Sequence, residues 1–147
     1  MPLRPKSPAA APSSTASKPM PLIRYLNVDL EVRSRTSLEA LERGFGDRAY
    51  LLAQRQEDGL FVASFEIAAD HDDPETAIRA FCDMIEALPP IVRDLWDVSV
   101  QRSFDIGFDS GDEPFPFSTA LTPATTARVA RLRAGITVSI YPPEHTG

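Results

Sequence analysis

Leu26-Asn27-Val28-Asp29-Leu30-Glu31-Val32-Arg33 alternates apolar and polar side chains without a break. A period of two marks a strand that buries one face and wets the other. The rest of the chain is read outward from this strand. A short helix is expected next. Thr36 and Glu39 have capping-box spacing, Leu38 and Leu41 supply a buried stripe, and Gly44 can end it. Residues 48–56 and 60–68 read as paired strands, because Asp58-Gly59 between them is a strong hairpin signal. The main helix is then expected, with Asp73 as N-cap and Pro74 at its first position. Ile78, Phe81, Cys82, Ile85 and Leu88 follow at spacings of three and four, and Pro89-Pro90 stops the run. A second short helix over about 90–97 should bury Ile91, Leu95 and Trp96.

From Val100 to Phe108 the period of two returns. Phe104, Ile106 and Phe108 fall on one side; Ser103, Asp105, Gly107 and Asp109 fall on the other. Ser110-Gly111-Asp112 reads as a turn. Thr122 should cap a helix starting at Pro123 and carrying Val129 and Leu132. Gly135 ends it, and Ile136, Val138 and Ile140 alternate as a last strand. The order is β-α-β-β-α-β-α-β. This predicts an α+β fold: a mostly antiparallel sheet of about five strands with helices on one face. Its core is a split βαβ, or ferredoxin-like, arrangement, extended by a C-terminal helix and strand.

The chain of 147 residues, 43% of them apolar, suits one domain with a real core. Residues 1–21 are rich in Pro, Ala and Ser and are expected to form a disordered tail. The domain is expected over 22–142, with a frayed end at 143–147. The single cysteine, Cys82, excludes an intrachain disulfide. No apolar run resembles a signal peptide or approaches a bilayer span, so the expectation is a soluble, cytoplasmic protein that engages no membrane.

Charge is segregated. Residues 57–113 hold fifteen carboxylates and three arginines, a local charge of −12 in a chain of net −6. Such a field repels phosphates, which argues against nucleic acid, and it steers a basic partner. If the first and fourth strands are neighbours, Asp29 and Glu31 lie beside Asp105 and Asp109 on the wet face. Asp112 and Glu113 follow in the next turn. These six residues are the candidate partner-binding set.

The residues Phe104-Asp105-Ile106-Gly107-Phe108, Leu121-Thr122-Pro123, Arg128-Val129-Ala130-Arg131-Leu132 and Gly135-Ile136-Thr137-Val138-Ser139-Ile140-Tyr141 resemble a family of small bacterial α/β domains of unknown function. The resemblance spans residues 25–142 and rests on apolar patterning and turns. It implies the fold and a bacterial origin, and carries no catalytic residues. Small acidic domains of this general kind can serve as immunity proteins, by analogy only.

Other chemistries find little support. Cys82 lies on the apolar stripe of the main helix, where a cysteine is usually an inert small hydrophobe. His71 and His145 sit near no nucleophilic serine elbow, and the seven glycines form no phosphate cradle. Asp70-His71-Asp72-Asp73 and the group Asp105, Asp109, Asp112 and Glu113 offer metal-type donors, yet neither has the ligand order of a calcium loop. Asp105 and Asp109 lie about 13 Å apart along one strand face, too far for a glycosidase pair by themselves, although a carboxylate from another strand could close the gap. Phe115 and Phe117 are expected to pack over the core edge, and Trp96 to be a satellite core residue. No metal or other cofactor is expected. The leading expectation is a non-catalytic acidic module, an immunity or regulatory protein, that binds a basic protein partner. The alternatives are a hydrolase or metal-dependent enzyme using clustered carboxylates, and an assembly component. The oligomeric state is left open.

Overall fold

The computed structural model describes residues 22–112 and 116–143. The expected N-terminal tail, Glu113, Phe115 and the last four residues lie outside that set. The elements are β1 (Arg24–Ser34), α1 (Glu39–Phe45), a 3-10 turn (Gly46–Arg48), β2 (Ala49–Glu57), β3 (Leu60–Ile67), α2 (Pro74–Glu86), α3 (Pro90–Val98), β4 (Gln101–Asp109), α4 (Pro123–Arg131) and β5 (Gly135–Tyr141). They form one five-stranded sheet ordered β2-β3-β1-β4-β5. β1 is antiparallel to both β3 and β4, and β2 is antiparallel to β3. β5 adds parallel to β4, as the intervening crossover through α4 requires. The fold is therefore α+β, with the split βαβ core that the sequence predicts and a parallel strand appended.

The helices feed a single core. Val28, Leu30 and Val32 of β1 meet Phe65 and Ala63 of β3, and Phe104 and Ile106 of β4, in register. Over them lie Ala77, Ile78, Phe81, Cys82 and Ile85 of α2, each 0% exposed. α2 starts as its sequence dictates: Asp73 Oδ1 accepts from the Thr76 N–H at 2.7 Å, and Pro74 needs no donor there. Asp58 and Gly59 both take positive φ, 53° and 78°, and so close the β2–β3 hairpin tightly. Trp96 belongs to the main core rather than to a satellite. It is fully buried, and its indole N–H donates to the Leu132 carbonyl at 3.1 Å.

Several local expectations are corrected. No capping box forms at α1. Leu38 is its N-cap and makes no side-chain cap bond, while the Ser37 hydroxyl accepts from the Glu39 N–H and the Ser34 hydroxyl from the Thr36 N–H. α1 runs through Gly44 and stops at Gly46, whose φ of 61° and ψ of −136° suit glycine alone. Gly44 is instead a close-packing position, since a Cβ there would stand 3.0 Å from Leu88 and Val92. Ile91 is 83% exposed, because it projects from the first turn of α3 away from the core. α4 ends at Arg131, and Arg133, not Gly135, takes the left-handed conformation after it. A bulge between Tyr25 and Asn27 leaves Leu26 38% exposed. Tyr25 takes its place against the core and meets Phe108 edge-on.

Candidate functional site

The strand period leaves one sheet face to polar side chains. The register there reads across five strands as Tyr50, Glu66, Asp29, Asp105 and Thr137. Three carboxylates thus stand side by side on three adjacent strands, with directly opposite Cβ atoms about 5 Å apart. The juxtaposition of Asp29 and Asp105 follows the expected pairing of the first and fourth strands. Glu66 was not among the candidates. Its signal was present in the alternation of Ser64 and Glu66 with Phe65 and Ile67, but using it needs the β1–β3 register.

Neutral donors partly satisfy the row. The Asn27 amide donates to Asp29 Oδ1 at 2.9 Å, and the Ser139 hydroxyl to Asp105 Oδ1 at 2.7 Å. Among the described residues, no lysine, arginine or histidine forms an ion pair with Asp29, Glu66 or Asp105. The electrostatic consequence falls on Asp29. Burial, then the nearby charges of Glu66 and Asp105, push its carboxyl up from 3.8 to about 6.

The remaining candidates are arranged differently. Glu31 lies one step along, opposite Ser64 and Ser103, and accepts from Arg33 at 3.1 Å. Arg33 also reaches Glu57 at 2.8 Å, and Arg55 reaches the same carboxylate at 3.5 Å. This network lies over Val62, which is only 1% exposed although it points away from the helices. Asp109 is at the other end, paired with Arg24 at 2.6 Å. Asp112 is an exposed loop residue, and Glu113 lies outside the described residues. Of the expected six, Asp29 and Asp105 thus stand in the uncompensated row, and Glu31 and Asp109 are ion-paired on either side of it.

The other chemical candidates are accounted for structurally. Asp73 is the α2 cap, and His71 Nδ1 shares a hydrogen bond with the Tyr25 hydroxyl at 2.9 Å. Burial first, then Asp73, Glu66 and Asp29, holds the Tyr25 phenol well above its usual range. Among the described residues, no group of three His, Cys, Asp or Glu side chains has metal-binding geometry. Cys82 is fully buried, and desolvation raises its thiol to about 11. Phe117 packs edge-on against Phe108 while remaining 48% exposed. A cleft of about 250 Å³ lies between the start of α1 and the β2–β3 hairpin, lined by Ser37, Glu39, Gln54, Arg55 and Phe61 among others. It contains no member of the carboxylate row.

Among the described residues, no helix is long and apolar enough to cross a membrane. No family model, curated protein or solved structure shows a significant match to the chain.

Proposed function

We propose that the protein is an acidic binding module, of an immunity or regulatory kind, that receives a basic protein partner on its open sheet face. The observation that carries this reading is the row Glu66–Asp29–Asp105, three like charges directly opposite one another with no ion pair to any of them among the described residues. Like charges so placed destabilise a sheet. An Arg or Lys from a partner relieves that repulsion and adds charge-assisted hydrogen bonds, so the gain on binding exceeds that of an already neutralised surface.

The proton on Asp29 gives the reading a signature. A partner cation lowers a carboxyl pKa that now stands at about 6, so binding releases protons and weakens as pH falls through 6. The test is isothermal titration with a synthetic Arg/Lys-rich peptide at pH 7.5 and pH 5. The wild type is compared with a triple variant, Asp29→Asn, Glu66→Gln and Asp105→Asn. A charge-matched control carries Asp70→Asn, Asp72→Asn and Asp94→Asn. The row variant should bind at least tenfold more weakly than the control. Equal affinities of the two variants would mean that the peptide senses only net charge and that the row is not the site.

A further inference from the structure

We infer that β5 is a self-pairing edge, and that two copies of the chain join their sheets there about a two-fold axis through Val138. Among the described residues β5 has one bonded neighbour, β4, and ends the sheet. Ile136, Val138 and Ile140 lie level with Phe104, Ile106 and Phe108, on the face that the helices cover. Alternation alone predicts them buried. They are instead 41%, 58% and 65% exposed, since the helices concentrate over β1 and β3 and α4 packs back on α2.

The two edges of the sheet are treated oppositely. β2 carries a bulge between Leu51 and Ala53 and the charged pair Arg55 and Glu57. Bulges and charges are the ordinary devices that prevent an edge from recruiting another strand. β5 reads Gly-Ile-Thr-Val-Ser-Ile-Tyr, with no charge, no proline and a continuous register to β4. An unprotected neutral edge of this composition is what a covered strand carries.

The sequence of β5 fits its own reverse. Antiparallel pairing centred on Val138 sets Ile136 opposite Ile140 and Thr137 opposite Ser139. It also sets Gly135 opposite Tyr141, where an aromatic ring can cover a glycine. A two-fold axis makes each of these contacts twice, as a closed dimer requires. Charge favours the same direction. Arg131 and Arg133 precede β5, whereas the Ser110 N–H bonds the Tyr141 carbonyl and so holds the loop after Asp109 at the far end. Antiparallel pairing keeps the two basic starts at opposite ends of the paired strands, whereas parallel pairing would set them side by side. Covering the exposed side chains on both copies buries roughly 1,000 Å² in total, the low end of specific interfaces.

Sedimentation velocity of the full chain from low micromolar to several hundred micromolar should show a monomer–dimer equilibrium. Val138→Lys places two ammonium groups opposite each other at the axis and should weaken the dimer about a hundredfold or more. At a concentration where both proteins are monomeric, its thermal unfolding should match wild type, because Val138 is already exposed. Val138→Cys should form a covalent dimer on mild oxidation, whereas Thr137→Cys should not, and buried Cys82 leaves the background low. A strict monomer at every concentration overturns the inference. So does a dimer that survives Val138→Lys, or an open-ended assembly larger than a dimer.

Discussion

Replacing Asp29 with Asn should make the protein more stable, by an amount that depends on pH. The Asp29 carboxyl titrates near 3.8 when unfolded and at about 6 when folded. The folded state therefore holds the proton more tightly, and ionising it costs stability. That cost is absent below pH 3.8, grows between 3.8 and 6, and is full above 6. The shift corresponds to about 3 kcal/mol at pH 7. The carboxyl is only half-buried, and solvent screening brings the expected gain from Asp29→Asn to about 1–2 kcal/mol. The new amide oxygen can still accept from Asn27, so the local hydrogen bond is kept. The assay is urea denaturation of wild type and variant at pH 7, 5 and 3.5. Taking the difference between the two proteins at each pH removes the titration of every group not coupled to Asp29. The stabilisation should be full at pH 7, smaller at pH 5 and nearly gone at 3.5. A variant no more stable than wild type at pH 7, or a difference that ignores pH, refutes the repulsion argument.

Phe81→Ala should cost about 3–5 kcal/mol in chemical denaturation, since Phe81 is fully buried against Phe104 between α2 and β4. Gly46→Ala forces a side chain into a left-handed backbone that only glycine adopts freely, and should lower the unfolding free energy by about 1–3 kcal/mol. Thr122→Ala removes the α4 cap, and with it the hydroxyl that donates to Glu75 at 2.8 Å. A loss of about 1 kcal/mol is expected, together with faster hydrogen exchange at the Thr125 amide.

The split βαβ order was legible because each of its cues is local. The alternation in β1, the Asp58-Gly59 turn and the Asp73-Pro74 helix start need no knowledge of neighbours. Errors arose where tertiary packing decides. Gly44 looks like a helix stop, yet its missing side chain admits Leu88 and Val92. Leu26 fits the β1 period, yet a bulge hands its place to Tyr25. Ile136, Val138 and Ile140 carry a buried-strand pattern on a strand that the helix layer does not reach. The acidic site was half legible. Asp29 and Asp105 follow from strand order alone, whereas Glu66 requires the register of a third strand.

Charge density along the chain is a poor guide to charge density in space, and the difference decides where a partner can dock. The acidic stretch looks uniform in sequence. Folding brings Arg128, from outside that stretch, to Asp83 and Glu86 at 2.7 and 2.8 Å. Arg93 pairs with Asp97 at 3.3 Å. Arg102 lies within the stretch but is committed to the carbonyls of Trp96, Ser99 and Arg133 and lies over the Trp96 ring. These pairs compensate Asp83, Glu86 and Asp97 on the helix side, whereas Asp70, Asp72 and Asp94 take part in no ion pair among the described residues. On the sheet face, Arg24 neutralises Asp109, and Arg33 with Arg55 neutralises Glu31 and Glu57. What is left between them is Glu66, Asp29 and Asp105. A field produced merely for solubility would be spread over exposed side chains, where repulsion costs least. Here part of it stands at half-buried positions in the middle of the sheet, where repulsion costs most. That placement is the feature on which the proposed cation-binding reading rests, and the row variant is the direct test of it.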